Sequence, residues 1–282
     1  MKHLLVFFYI LMPFYPAVAQ QITCSPKDKN LVEAKMLAID GLLEPDFGNT
    51  LVNVGKTFLK IPYVAKTLEI GETETLVVNL QGLDCTTYIE NVLAFSLMLQ
   101  NDQTTFSDFT ETLEIIRYKD SKMDGYGSRL HYFTDWIRNN EQKGLLTDIT
   151  AEIGGVVIEK DINFMGTHRE LYPFLKDDAN FDKILATEKG LAKEPFCYLP
   201  QDQIEANEHL IQTGDIIALA TSINGLDVTH TGIATREKDG RIHLLHASTS
   251  SMEVEVTKKT LTEYLRGVKK NIGILVVRPK VP

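Results

Sequence analysis

One segment of the chain, residues 89–99, is apolar on nearly every side of a helix and constrains the fold most strongly. Its apolar residues recur at helical spacing and then continue around the helix: Ile89, Val92, Leu93, Phe95, Leu97, Met98 and Leu99. A helix of this kind is unstable on a surface, because water would meet apolar side chains all round it. The sequence therefore predicts a central core helix that other elements surround.

The C-terminal part of the chain has a β pattern that can supply those surroundings. Short β-rich runs separated by turn residues follow Gly214, at residues 215–221, 228–236, 241–248, 253–257 and 272–278. Their spacing is typical of an antiparallel meander. The N-terminal part has helical spacing, with a first helix from Ser25 to about Leu43 that Gly41 closes. A helical part whose central helix packs on a small antiparallel sheet predicts an α+β fold.

Residues 100–200 mix short helical patches with loops, and we interpret them as an insertion or elaboration on this core. The 282 residues are 44% hydrophobic and 24% charged, which suits one large domain or two small ones. The charge balance is acidic, with 29 Lys and Arg against 38 Asp and Glu. Without a basic cluster the chain has no surface to displace counterions from phosphates, so nucleic acid is not an expected partner.

The N-terminus has the three parts of a secretory signal. Lys2 and His3 precede an apolar run over residues 4–15, and Ala17-Val18-Ala19 supplies small residues for cleavage. The run is shorter than the roughly 20 residues that span a bilayer, and no other stretch predicts a membrane span. We therefore expect a signal peptide over residues 1–19 and a mature domain over 20–282. The expected location is the periplasm or cell envelope.

The three cysteines lie too far apart for a paired CxxC motif, which argues against a zinc ribbon. In an oxidising compartment Cys24 and Cys197 are candidates for a disulfide that would leave Cys85 free. Two unpaired buried thiols are the alternative.

Cys85 lies in Gly82-Leu83-Asp84-Cys85-Thr86-Thr87, directly before the core helix. Free backbone N–H groups and the helix dipole favour a thiolate there, as a nucleophile requires. Two helix starts fit the sequence: Asp84 as N-cap, or a Thr87 and Glu90 capping box that places Cys85 just outside the first turn. The alternative to a nucleophile is a small buried apolar residue.

A nucleophilic thiol needs a base that a third group holds in one tautomer. His230 and His246 lie on successive predicted strands joined by Lys238-Asp239-Gly240. A two-residue turn would put the histidines on opposite faces of the sheet, whereas a three-residue loop with a left-handed Gly240 puts both on one face. His246 then opposes Gly232 and lies diagonal to His230, roughly 7 to 8 Å away.

The face that would carry both histidines also carries Val228, Ala234, Ile242 and Leu244, so we expect it to pack on the core helix. A pair of structural core histidines is the alternative to a catalytic pair. His243 is separated from His246 by an odd step, which points the two rings apart along a strand. The sequence therefore predicts no metal site.

The motifs Pro62-Tyr63, Gly82-Leu83-Asp84-Cys85, Thr229-His230-Thr231-Gly232-Ile233 and Leu245-His246-Ala247-Ser248 resemble, in this order, the NlpC-type cysteine peptidases of bacterial cell walls. The block from Arg129 to Trp136 resembles the branch called N-acetylmuramoyl-L-alanine amidase-like. The resemblance implies a papain-like core in which Cys85 is the nucleophile, His230 the base and His246 the orienting group. It also implies that Tyr63 binds the oxyanion or the substrate, although the gap from Tyr63 to Cys85 is longer than usual.

Four further residues are candidates for substrate binding. Asp84 and Asp227 flank the catalytic positions and are candidates for binding a substrate amine, with a helix cap and a turn as the alternatives. Arg129 and Trp136 are candidates for lining a sugar-peptide cleft, with burial in the core as the alternative.

The resemblance implies an exported amide hydrolase that acts on peptidoglycan or muropeptides and needs no cofactor. The expected bond joins N-acetylmuramic acid to L-alanine. The alternatives are the γ-D-glutamyl-diaminopimelate bond and an inactive wall-binding module.

Overall fold

The computed structural model describes residues 21–281, so the predicted signal peptide lies outside the described residues. The helices are α1 (Pro26–Ile39), α2 (Phe47–Lys56), α3 (Cys85–Gln100), α4 (Phe106–Arg117), α5 (Phe133–Gln142), α6 (Phe164–Thr167), α7 (Asp178–Leu191), α8 (Ile204–Asn207) and α9 (Leu261–Arg266). The strands are β1 (Ile22–Cys24), β2 (Leu76–Val78), β3 (Leu146–Asp148), β4 (Val156–Ile158), β5 (Phe196–Pro200), β6 (Ile216–Thr221), β7 (Val228–Arg236), β8 (Ile242–Ser248), β9 (Glu253–Val256) and β10 (Asn271–Pro279). Within residues 21–281 no helix is both long and apolar enough to cross a membrane.

The main sheet is antiparallel and confirms the predicted α+β class. Its strand order is β4-β5-β10-β6-β7-β8-β9, with β3 also paired to β10. Strands β6 to β9 form the predicted meander, but β10 returns to pair with β6 on the far side. The region predicted to be an insertion contributes to the core, because its strands β3, β4 and β5 are part of this sheet. A separate parallel pair, β1 and β2, lies outside it.

Helix α3 is the buried central helix that the apolar pattern predicts. Most of its residues from Thr87 onward are buried, including the polar Glu90. The Arg117 guanidinium of α4 donates to Glu90 at 2.7 Å and to the Val77 carbonyl at 2.7 Å. Both members of the ion pair are only 2% exposed, so the pair fixes α3 against α4 inside the core.

The sheet is buried on both faces, which corrects the prediction of where the histidines point. Helix α3 packs with Ile233, Leu245 and Ala247 in the larger apolar cluster. The histidine-bearing face carries Ala234, Ile242 and Leu244, which belong to a second cluster that includes Leu261 and Leu265 of α9. Strand residues alternate between faces, so the histidines face the α9 side and not α3.

The disulfide between Cys24 and Cys197 is not formed, and both residues are free cysteines. Cys24 ends β1, which pairs with β2, whereas Cys197 lies in β5 beside β4. The two thiols therefore belong to different sheets, and that hypothesis is wrong for this fold.

A substitution at Gly232 tests the close packing of β7 against β8. A Cβ there would lie 2.6 Å from Leu244 Cγ and 3.0 Å from the His246 Cβ. We expect Gly232→Ala to lower the free energy of unfolding by about 1 to 3 kcal/mol, because two buried side chains must shift. Urea unfolding measures this change.

Gly190→Ala is the matched control, since its added Cβ meets no atom within 4 Å near the end of α7. The control should be neutral or slightly stabilising. Equal stability of Gly232→Ala and the native chain would contradict the packing described here.

Candidate active site

Cys85 is the first residue of α3, and Asp84 is the N-cap. The Thr87 amide donates to Asp84 Oδ1 at 2.8 Å, and the Asp84 amide donates to Thr87 Oγ1 at 2.9 Å. This capping box selects the first of the two predicted helix starts. The Thr231 hydroxyl of β7 donates to the Cys85 carbonyl at 3.0 Å, which ties the start of α3 to the sheet.

Tyr63 lies beside Cys85 despite the long sequence gap between them. Tyr63 forms a bridge with Leu83, and the Val64 amide donates to the Leu83 carbonyl at 3.0 Å. Burial raises the pKa of the Tyr63 phenol to about 12, and the nearby Cys85 and Asp84 add to this rise. The phenol is therefore a protonated hydrogen-bond donor at neutral pH.

The register of the β7–β8 hairpin confirms the three-residue loop. Ile233 pairs with Leu245 and Arg236 pairs with Ile242, and Gly240 has a left-handed φ of 77°. Both histidines are consequently on one face. Their rings are nearly perpendicular, with an interplanar angle of 81°. His230 Nε2 lies 2.6 Å from His246 Nδ1.

A β-bulge precedes His230. Leu219 pairs with His230 but the next residue, Ala220, pairs with Val228, so Thr229 is an extra residue in β7. Bulges increase the local twist and re-aim side chains near the end of a strand. This bulge allows His230 to reach the cleft that also contains Cys85, although most of the histidine face is covered by α9.

A role of His230 as a base would require one particular set of tautomers for the two histidines. If His230 Nδ1 is to accept a proton, its Nε2–H must donate to His246 Nδ1, and His246 then carries its proton on Nε2. His246 is fully buried, and its Nε2 has no hydrogen-bond partner among the described residues. The nearest carboxylate oxygen, Glu255 Oε1 on β9, lies 4.0 Å away. Glu255 is the direct cross-strand partner of His246, so the two side chains share a face.

Burial sets the protonation states of these groups. It raises the pKa of the Cys85 thiol to about 11, an effect that Asp84 increases and that hydrogen bonds from Thr231 and Thr86 only partly oppose. Burial also lowers the pKa of His230 to about 4. Burial, together with the neighbouring His230, lowers the pKa of His246 to about 3. Burial therefore favours a thiol and two neutral imidazoles at neutral pH, whereas the helix start by itself favours a thiolate.

The cleft has a volume of about 770 Å³ and contains residues that the sequence did not single out. Besides Cys85, His230 and Tyr63 it is lined by Leu219, Thr229, Ser248, Thr249, Ser250, Ser251, Glu255, Thr257, Lys258, Lys259, Tyr264, Gly267, Val268 and Lys269. Tyr264 packs edge-on against His246, with ring centroids 5.3 Å apart. The sequence signal for Glu255 is the register of the β8–β9 pair, in which Glu255 lies directly opposite His246.

Arg129 and Trp136 do not line this cleft, which corrects their proposed role in substrate binding. Trp136 has no exposed surface and stacks on Phe133 with ring centroids 4.8 Å apart. Arg129 is 7% exposed, and its guanidinium lies 3.3 Å from Glu74 and 3.5 Å from Glu69. Both side chains are structural, because their surfaces are already occupied by protein.

The carboxylates of the two aspartates are occupied by hydrogen bonds within the protein and do not line the cleft as an amine site. Asp227 is 2% exposed and accepts hydrogen bonds from the Thr134 amide, the Thr134 hydroxyl and the Val228 amide. Asp84 is occupied as the cap of α3. The cap alternative describes Asp84, whereas Asp227 accepts from Thr134 in the first turn of α5, a long-range contact that a turn role does not describe. In residues 21–281 no group of three or more His, Cys, Asp or Glu side chains is placed to hold a metal ion.

This combination of an α+β fold, a cysteine at the start of a buried helix and a paired histidine on an adjacent strand defines a candidate thiol hydrolase. Residues 53–274 match the N-acetylmuramoyl-L-alanine amidase-like family, also described as AmiA-like. The match spans most of the chain, so the protein belongs to this amidase-like family of peptidoglycan hydrolases. No curated protein sequence matches the chain significantly.

Solved structures agree with the family assignment. An N-acetylmuramoyl-L-alanine amidase from Bacteroides uniformis ATCC 8492 is 39% identical, with a TM-score of 0.79 over 83% of this chain and 99% of that one. A proposed xylanase from Bacteroides fragilis is 43% identical, with a TM-score of 0.76 over 81% of this chain and 99% of that one. A Legionella pneumophila protein with 20% identity and a TM-score of 0.66 shares the fold, covering 91% of this chain and 95% of that one.

The neutral site predicts how alkylation of Cys85 depends on pH. A Cys24→Ser, Cys197→Ser variant leaves Cys85 as the single thiol. Because its pKa is raised to about 11, the rate of reaction with iodoacetamide should rise about tenfold per pH unit from about pH 7 to about pH 10. Mass spectrometry of timed samples measures the rate. A fast plateau below neutral pH would show a preformed thiolate-imidazolium pair and contradict this assignment.

Proposed function

We propose that the protein is an exported cysteine amidase that hydrolyses the amide bond between N-acetylmuramic acid and L-alanine in peptidoglycan fragments. The observation that carries the proposal is that His230 lines the cleft that contains Cys85 and is hydrogen-bonded to the buried His246, in a chain of the amidase-like family. The proposal includes a papain-like core of the NlpC type, in which the helix that carries the cysteine packs on an antiparallel sheet. The signal-like N-terminus supports export.

The proposed reaction begins with both partners neutral. As Cys85 Sγ forms a bond to the amide carbonyl carbon, His230 Nδ1 takes the thiol proton and becomes an imidazolium. The Tyr63 hydroxyl is the proposed donor to the oxyanion. His230 then gives its proton to the leaving nitrogen, and the carbon–nitrogen bond breaks to leave a thioester. Water, deprotonated by His230, attacks the thioester, and the proton returns to the Cys85 sulfur as the acid is released.

A glycosidase is less well supported, although one similar structure is a proposed xylanase. Glycoside hydrolysis in most families uses two carboxyl groups on either side of the scissile bond. Among the described residues that line the cleft, Glu255 is the sole carboxylate. The cleft instead combines a thiol with an imidazole, which suits acyl transfer.

Defined muropeptides distinguish the candidate functions. The mature protein should release sugar-free L-alanyl peptides, detected by mass spectrometry. An L-alanyl-glutamyl product would instead support the γ-D-glutamyl-diaminopimelate endopeptidase. We expect Cys85→Ala to abolish turnover, because no other thiol lines the described part of the cleft.

Cys197→Ser is the matched control, since this thiol lies in β5 outside the cleft and its removal should leave turnover unchanged. Activity retained by Cys85→Ala would show that the nucleophile is wrong. A native protein that binds wall fragments without any turnover would support the inactive binding module.

Glu255 is proposed to position His246 and to stabilise the positive charge that develops on the histidine pair. Its carboxylate is 4.0 Å from the unpartnered His246 Nε2. We expect Glu255→Gln to lower kcat about tenfold, equivalent to about 1.4 kcal/mol, with KM little changed. Steady-state kinetics on the same muropeptide measures this separation of kcat from KM.

Glu253→Gln removes the same charge two residues earlier on β9, where Glu253 pairs with Lys60, and should retain kcat. If both variants lose the same activity, or if Glu255→Gln changes KM alone, Glu255 does not act through His246. Glu255→Asp should recover part of the lost kcat, because it restores the negative charge.

A further inference from the structure

Three lysines, Lys258, Lys259 and Lys269, line the cleft, and we call them the lysine rim. All three are exposed. None of their ammonium groups lies within 4.0 Å of a carboxylate in the described residues, whereas several other surface lysines, such as Lys60 and Lys183, are paired. The rim therefore presents positive charge that the protein itself does not neutralise.

The charge of the cleft is opposite to that of the chain. The whole sequence has a formal net charge of −9. The cleft lining combines the three rim lysines with a single carboxylate, Glu255, among the described residues. Clefts lined by one sign of charge concentrate ligands of the opposite sign. An anionic ligand is therefore favoured here and disfavoured over most of the remaining surface.

The rim belongs to the segment around α9, the helix that covers the histidine-bearing face of the sheet. Lys258 and Lys259 directly precede Thr260, the N-cap of α9, and Lys269 follows the end of that helix. Helix α9 packs on the sheet face that carries the histidines, and its Tyr264 contacts His246. Tyr63 and Cys85 come instead from the segments at the start of α3. The cleft is thus lined both from the start of α3 and from the segment around α9.

We propose that the lysine rim binds carboxylates of the peptide that leaves when the amide bond is cut. The inference rests on the proposed function, in which His230 protonates the leaving nitrogen and so faces that fragment. The ligand class is a short acidic peptide with free side-chain and terminal carboxylates. Substrates whose peptide carboxylates are amidated are consequently poor substrates.

Two muramoyl dipeptides test the rim, one with both glutamyl carboxylates free and one with both amidated. The native protein should prefer the free form by about tenfold in kcat/KM, the size expected for a few exposed charge contacts. The triple variant Lys258→Gln, Lys259→Gln, Lys269→Gln should lose this preference, because its kcat/KM should fall more on the free form than on the amidated form.

Lys27→Gln, Lys122→Gln, Lys189→Gln is the matched control, because it changes the net charge equally at exposed lysines outside the cleft. The control should retain the preference. If it loses the preference to the same extent as the rim variant, overall charge is responsible and the rim has no specific role. Circular dichroism verifies that each variant folds.

Salt gives a second readout that needs no variant. The preference of the native protein for the free form should decline between about 0.05 M and about 0.5 M NaCl, since exposed charge contacts are screened. A preference that is absent from the native protein, or unchanged in the rim variant, overturns the inference.

A direct binding measurement separates failure of the rim from failure of the proposed function. Calorimetry with L-alanyl-γ-D-glutamate should show binding to the native protein and to Cys85→Ala, and loss of binding in the rim variant. If neither muramoyl dipeptide is hydrolysed, the proposed function is wrong, and calorimetry still decides whether the rim binds acidic peptides. Equal affinity of the native and rim variant proteins for the dipeptide overturns the rim.

Discussion

The register of the β7–β8 hairpin is the constraint on which the rest of the site depends. Side chains alternate between faces along a strand, so a slip of one residue would turn His246 toward α3 and away from His230. The three-residue loop, with Gly240 in the left-handed region, fixes the register that brings Nε2 of one ring within 2.6 Å of Nδ1 of the other. The Thr229 bulge then directs His230 into the cleft while His246 stays buried. The loop thus brings the two rings together on one face, and the bulge gives only His230 access to the cleft.

Burial and the helix terminus act on the pKa of the Cys85 thiol in opposite directions. The start of α3 favours negative charge on sulfur, yet desolvation raises the pKa of Cys85 to about 11. The same burial keeps both imidazoles neutral. In the proposed mechanism charge therefore appears only as the substrate is attacked. The groups near that charge are already in place: the first backbone N–H groups of α3 on the sulfur side and the Glu255 carboxylate on the histidine side.

Periodic patterns made most of the fold predictable. The apolar run in α3 and the bounds of β6, β7, β8 and β10 agree with the structure to within one residue. The face that meets α3 could not be predicted in the same way, because the sheet is buried on both sides and both sets of alternating residues are largely apolar. Residue type alone makes Trp136 and Arg129 candidates for substrate binding. It does not show that Trp136 stacks on Phe133 or that Arg129 pairs with Glu74. Lys258, Lys259 and Lys269 flank α9, and only the tertiary packing of that helix on the sheet brings them to the cleft that contains Cys85.

In the proposed mechanism, the segments around α3 and α9 also determine the orientation of the substrate amide in the cleft. The proposed nucleophile and Tyr63 come from the α3 layer, whereas Tyr264 and the lysines come from the α9 layer. His230 lies between them on β7, at the bulged end of the strand. A carbonyl carbon near Cys85 and a leaving nitrogen near His230 therefore place the acyl fragment toward the α3 layer and the amine fragment toward α9. In the proposed mechanism the direction of the substrate therefore follows from which segments supply the nucleophile and which supply the lysines, although all of them line one cleft.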